Sequence, residues 1–272
     1  MAGKLAGRVA FITGVARGQG RAHTVRLAQE GADIIGVDIC EDYPHMTYPN
    51  ASEEDLRETA RLVEELDRRI IARKADVRDF AQLKRAFDEG YGEFGRLDVI
   101  IANAGIIRLG PEQDFLAEWH EVIDTNLTGV FHTVRAALPA LRAGGRGGSI
   151  VITSSSAGLK GTGSSKASSQ AYAAAKRGLV GYMQVLANDL AKESIRVNTI
   201  HPTGVATGMV MNEAMERAAA APGSDLASMQ NALPIQILQP EDIANAVAWL
   251  VSDEAYYVTG VQLPLDTGFS VR

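Results

Sequence analysis

Apolar residues gather in short runs at 9–12, 34–37, 70–71, 99–102, 150–152, 197–200 and 261–265. Most of these runs are continuous rather than alternating, as in parallel strands covered on both faces. Between them, apolar positions recur at helical spacing over 18–29, 53–68, 80–91, 115–141, 170–191 and 241–251. Strand–helix alternation without a linker predicts one α/β domain over 1–272, a doubly wound parallel β-sheet flanked by helices. Crossovers in such a sheet are right-handed, and ligand lies beyond the carboxyl ends of the strands.

The first strand runs into Thr13-Gly14-Val15-Ala16-Arg17-Gly18-Gln19-Gly20, and a helical pattern follows at once. Glycines there let backbone approach a pyrophosphate, and the free N–H groups of the helix start point at it. The second strand ends on Asp38. An acid at that place accepts hydrogen bonds from the adenosine ribose and repels a 2′-phosphate, so the expected cofactor is NAD rather than NADP. Arg17 is the counter-signal, because a loop arginine can meet a 2′-phosphate. No basic residue follows Asp38 directly, and the acid outweighs it. A glycine-rich tight turn beside a solvated aspartate is the bland alternative, and the ordered strand, glycines, helix, strand and acid count against it.

Tyr172 and Lys176 stand four residues apart, on one face of a predicted helix. An ammonium beside a phenol favours the phenolate and lowers a pKa that is ordinarily about 10. Such a tyrosine can exchange protons with an alcohol near neutral pH. Tyr-x-x-x-Lys also arises by chance on exposed helices, so its weight depends on the glycine signal.

Composition narrows the class. The chain has 272 residues, 46% hydrophobic and 22% charged, enough for one sizeable core. A formal charge of −6 without a basic block argues against nucleic acid or an anionic membrane as partner. Cys40 is the single cysteine, so an intramolecular disulfide is excluded, and it is expected to pack as a small apolar residue. No apolar run suits a membrane span, and the N-terminus is too short and polar for a signal peptide, so cytoplasm is expected. His23, His45, His120, His132 and His201 lack metal-ligand spacing, and no metal is expected. His201, before Pro202, is read as structural beside the site.

The chain resembles the short-chain dehydrogenase/reductases over about 7–268, single-domain Rossmann folds. The matching elements are Thr13-Gly14-x-x-x-Gly18-x-Gly20, Asp76-Val77, Asn103-Ala104-Gly105, Asn126, Ser155, Tyr172-x-x-x-Lys176 and the 202–207 segment. Three stretches, 18–23, 37–40 and 201–207, are similar to an actinobacterial subfamily of carveol-dehydrogenase-like, mycofactocin-associated enzymes. The resemblance implies catalytic Asn126, Ser155, Tyr172 and Lys176. Cofactor contacts follow for Gly14, Arg17, Gly18, Gln19, Gly20, Asp38, Asp76, Val77, Asn103, Ala104, Gly105, Tyr172, Lys176, Val205 and Thr207. Three consecutive serines leave the choice of Ser155 dependent on the family pattern, with Ser154 and Ser156 as capping groups. The Ser155-to-Tyr172 spacing is a few residues longer than usual, and the excess is placed in 159–169. Asn126 has an equal reading as a helix-interior asparagine bonded to backbone.

The expected activity is NAD-dependent interconversion of a hydrophobic, cyclic or terpenoid secondary alcohol and its ketone. The resemblance also implies a homotetramer, formed through 115–141, 170–191 and the C-terminal segment. It further implies NAD that stays bound and is reoxidised by an external redox carrier such as mycofactocin. Residues 41–52, longer than a usual loop, are either a lid over adenosine or a surface insertion. Residues 204–238, with Met209, Met211, Met215 and Met229, are the expected substrate lid, though core packing also explains methionines. The alternatives are a ketoacyl-thioester-type reductase, which would favour NADPH, and a non-catalytic nucleotide sensor, which would not need Tyr172 and Lys176.

Overall fold

A computed structural model describes residues 3–43, 46–220 and 230–272. Seven strands form one sheet: β1 (Val9–Thr13), β2 (Asp33–Asp38), β3 (Ile70–Lys74), β4 (Val99–Ala102), β5 (Gly148–Thr153), β6 (Ile195–Pro202) and β7 (Gln262–Leu265). All pairings are parallel, in the order β3-β2-β1-β4-β5-β6-β7. Each predicted apolar run falls on one of these strands. Among the described residues the helices are α1 (Gly18–Gln29), α2 (Glu53–Glu64), α3 (Phe80–Phe94), α4 (Phe115–Ile123), α5 (Gly129–Ala143), α6 (Ala167–Leu190), α7 (Glu213–Ala220) and α8 (Pro240–Val251).

The continuous apolar runs follow from burial on both faces. Phe11 and Ile100 join Phe87, Val134 and Met183 on one side, and Ile12 and Ile101 join Leu27, Val63 and Val247 on the other. Each such fully buried side chain contributes about 1.5–3 kcal/mol.

Four helices depart from the sequence pattern, α6 by starting three residues early at Ala167. α2 ends at Glu64 rather than 68, where Asp67 turns into the left-handed region (φ 55°). α3 continues to Phe94, where left-handed Gly95 (φ 64°) stops it. The single helix expected over 115–141 is two, α4 and α5, joined by a π-helical turn at Asp124–Thr128. The turn is centred on Asn126, whose side chain bonds to backbone and disturbs the regular ladder. Strand order reverses between β1 and β4, so the residues leaving them, Gly14 and Asn103, flank the crevice where this fold binds ligands.

His23, on the inner face of α1, is fully buried, and neither ring nitrogen has a partner among the described residues. Burial pulls its pKa down from 6.5 to about 3. Above pH 6.5 the ring is neutral in both folded and unfolded chains. Below it the unfolded chain gains a proton that the folded one refuses, so stability falls by about 1.4 kcal/mol per pH unit. At pH 5 the loss is about 2 kcal/mol. Urea unfolding of His23→Leu at pH 7 and pH 5 is expected to show that much less acid loss than the parent. Equal losses would remove this account.

Candidate active site

All the candidate residues, from Gly14 to Thr207, line one cavity of about 870 Å³ at the carboxyl ends of the strands. The glycine loop bounds it first. Gly14 and Gly18 take left-handed φ values of 74° and 55°, open to glycine at little cost. Gly14 N–H donates to the Val37 carbonyl at 2.8 Å, which ties the loop to β2. Opposite, the Thr13 hydroxyl accepts from the N–H groups of Asn103 and Ala104 at 3.1 and 3.2 Å, locking the ends of β1 and β4 together.

Asp38 is 8% exposed at the end of β2. Its carboxylate accepts from Ala16 N–H at 2.9 Å and Cys40 N–H at 3.3 Å. Burial pushes its pKa up, and those two donors oppose the shift. Cys40 is buried as expected, with a thiol pushed up to about 12, which leaves it unreactive. Asp76 is more occupied than the sequence suggests. Arg78 holds it with Nη2 at 2.7 Å and Nε at 2.8 Å, and the Arg78 guanidinium lies over the Tyr43 ring at 4.1 Å. Arg17 is also occupied, donating to the Pro49 carbonyl at 2.5 Å.

Four further side chains meet at the far wall. Lys176, 3% exposed, donates from Nζ to the Thr153 carbonyl at 2.8 Å, and its Nζ is 5.6 Å from the centre of the Tyr172 ring. Burial pulls the Lys176 ammonium down to about 8. Burial pushes the Tyr172 phenol above its ordinary value, and a hydrogen bond from Ser155 opposes the rise. The lowered phenol expected from the Tyr–Lys spacing is therefore not met by these two residues alone. Helical spacing sets the face of a side chain, but not which acceptor its ammonium reaches. Ser155 Oγ also accepts from Ala157 N–H at 3.2 Å. Ser154 donates to the Lys176 carbonyl at 2.8 Å, and Ser156 is buried in the turn that follows, though both also border the cavity.

Asn126 bonds to backbone, as its helix-interior reading expects, and it also lines the cavity. Its Nδ2 donates to the Ile106 and Val122 carbonyls at 2.9 Å each, and its Oδ1 accepts from Ile106 N–H at 3.2 Å. A Cβ on Gly105 would lie 2.7 Å from Asn126 Oδ1 and 3.5 Å from Lys176 Nζ, so the asparagine and the lysine flank the same glycine.

The two irregular segments both reach the cavity. Tyr43 and Tyr48, from 41–52, are 6% and 5% exposed and line it. The Tyr48 hydroxyl accepts from Ile107 N–H at 3.3 Å. From 204–238, Met209 and Met215 line the cavity, whereas Met211 is 63% exposed. Met229 lies outside the described residues. The two ends of this segment pair, Ala206 N–H to the Leu238 carbonyl at 2.8 Å and Leu238 N–H to the Gly204 carbonyl at 2.9 Å. Arg108 lines the wall and is buried 3.5 Å from Glu118 and 3.7 Å from Glu121 behind it, a charged cluster that no sequence motif marks. Thr153, which receives the Lys176 ammonium, and Arg78, which grips Asp76, carry no sequence signal.

A family model described as enoyl-(acyl carrier protein) reductase matches residues 14–270. An uncharacterised oxidoreductase of Mycobacterium tuberculosis is 54% identical over 97% of both chains. The (−)-trans-carveol dehydrogenase of Rhodococcus erythropolis is 43% identical over 99% of both chains. The crystal structure of carveol dehydrogenase from Mycobacterium avium in complex with NAD superposes with a TM-score of 0.92, at 48% identity. That match covers 99% of this chain and 100% of the other. The glycine loop fits a dinucleotide, since a side chain at Gly14, Gly18 or Gly20 would press on Asn103, Ala104, Thr207 or the Gly14 carbonyl and deny the tight turn that lets backbone approach the phosphates. Fold, cradle and relatives agree: the chain belongs to the short-chain dehydrogenase/reductase family and is an NAD-dependent oxidoreductase.

Proposed function

We propose that this protein interconverts a hydrophobic, cyclic or terpenoid secondary alcohol and its ketone, with Tyr172 as the acid/base. The observation that carries this is the convergence of Ser155, Tyr172, Lys176 and Asn126 at one end of a cavity whose other end holds Asp38. Ser155 donates a hydrogen bond to the substrate oxygen as charge develops on it. Tyr172 removes the alcohol proton. When bound, oxidised NAD supplies the hydride acceptor and a positive charge that favours the Tyr172 phenolate. Lys176 holds the nicotinamide ribose, and Asn126 orders the backbone beside it. Gly14, Gly18, Gln19 and Gly20 cradle the phosphates, and Asp38 holds the adenosine ribose. Asp76 and Val77 border the adenine, Asn103, Ala104 and Gly105 form the floor, and Val205 and Thr207 meet the carboxamide. Arg17 braces residues 41–52 over the loop. A carboxylate at Asp38 repels a 2′-phosphate, which disfavours an NADPH-dependent ketoacyl reductase.

Residues 204–238 act as the substrate lid, supported by their paired ends and by Met209 and Met215 in the cavity wall. Residues 41–52 enclose the adenosine end, supported by buried Tyr43 and Tyr48. A cofactor so enclosed leaves slowly and is reoxidised in place by an external carrier such as mycofactocin. Phe115, Leu116, Phe131 and Val185 stand exposed on α4, α5 and α6, and a homotetramer would cover them. One buried, unpaired thiol suits the reducing cytoplasm.

Absorbance of reduced nicotinamide tests the reading, on protein mixed with carveol and other cyclic secondary alcohols, with and without added NAD. Oxidation of at least one alcohol is expected. A burst matching the enzyme concentration, without further turnover, is the result expected of a retained cofactor. Continuous turnover with added NAD would overturn retention alone. No reduction with any alcohol would overturn the substrate class.

A further inference from the structure

The ladder between β5 and β6 ends at Thr153 and Ile200, and Ser154 N–H makes one last bond to the Ile200 carbonyl at 2.9 Å. Ser155 lies beyond that point, where strand pairing no longer holds it. A side chain from β6 takes over. His201 is fully buried, and its Nδ1 lies 2.8 Å from the Ser155 carbonyl oxygen. Its Nε2 lies 2.9 Å from the Thr199 hydroxyl.

The two neighbours settle the tautomer. A carbonyl oxygen only accepts, so Nδ1 carries the proton, and Nε2 then accepts from the Thr199 hydroxyl. Burial holds the ring below the ordinary histidine pKa, so the donor is a neutral imidazole. The same Ser155 carbonyl also accepts from Gly158 N–H at 2.8 Å, within the turn at Ser156–Gly158. Ser155 is thus held from its own turn and, across the sheet, by His201.

We propose that His201 is a positioning residue: its Nδ1–H holds the Ser155 backbone so that the Ser155 hydroxyl faces Tyr172 and the substrate oxygen. This rests on the function proposed above. Displacement of a hydrogen-bond donor by about 1 Å can cost on the order of a hundredfold in rate.

Asparagine at 201 places an amide N–H near the Nδ1 position, glutamine places its amide near Nε2, and leucine offers no donor. His201→Asn is expected to keep kcat/KM within about threefold of the parent, measured with the best alcohol of the panel. His201→Gln and His201→Leu are expected to lose roughly tenfold to a hundredfold. All three are expected to keep the parent affinity for NAD, read by nicotinamide fluorescence. Equal activity of the asparagine and glutamine variants would overturn the inference, as would NAD affinity falling in step with kcat/KM. That pair still decides if the leucine variant does not fold. A parent that oxidises no alcohol, or a Tyr172→Phe variant with unchanged turnover, overturns the proposed function instead, and this inference with it.

Discussion

Tyr172→Phe is expected to lower kcat by roughly a hundredfold to ten-thousandfold, the usual contribution of a positioned acid or base. Phenylalanine keeps the ring and loses only the hydroxyl that meets Ser155. The tyrosine is partly exposed on α6 and faces the cavity, so the change leaves no void in the core. NAD affinity is therefore expected to stay within a few fold, because the glycine loop and Asp38 are untouched. Stopped-flow reduction measures the first effect and fluorescence titration the second. Full-speed turnover by Tyr172→Phe would assign the proton transfer to another group. Loss of both activities together would instead mark the tyrosine as a scaffold for the cofactor.

Gly20→Ala is expected to abolish the thermal stabilisation that NAD confers and to destabilise the protein itself. Gly20 has no left-handed backbone, so the constraint is space alone. A Cβ there would lie 1.7 Å from the Gly14 carbonyl oxygen and 2.9 Å from Asn103 Nδ2. Both neighbours belong to the locked ends of β1 and β4, and neither can yield without opening the crevice. Forcing one methyl into such a site costs about 1–3 kcal/mol. The loop must also widen where the phosphates lie. Gly92→Ala is the internal control: Gly92 lies on the exposed side of α3, with nothing within 4 Å of an added Cβ. That change is expected to be neutral or stabilising by about 0.5–1 kcal/mol. Melting curves with and without NAD separate the two cases, and an unaltered NAD shift in Gly20→Ala would sink the steric account.

Much of the frame was legible in the chain of residues itself. The apolar runs located all seven strands because a strand buried on both faces needs apolar side chains in succession, as Phe11 and Ile12 show. Helix ends were less legible. Asp67 stops α2 through a left-handed backbone that its side chain does not announce. The π-helical turn at Asn126 arises because that side chain also bonds Ile106, from the loop after β4.

The site divides in the same way. Spacing marked Gly14, Gly18, Gly20, Asp38, Tyr172 and Lys176, whose chemistry depends on short separations along the chain. The reach of each side chain was not marked. Lys176 points to Thr153 rather than to the phenol, Arg17 is tied to Pro49, and Asp76 is gripped by Arg78. Met209 and Met215 face the cavity while Met211 faces solvent. His201 reads as structural in sequence and meets Ser155 only once β5 and β6 lie side by side. Elements, cofactor signature and family could be read along the chain, since those rest on local periodicity and short motifs. Which partner each polar group met was set by folding, because most of those partners come from strands and loops far apart in the chain that the packed sheet brings together.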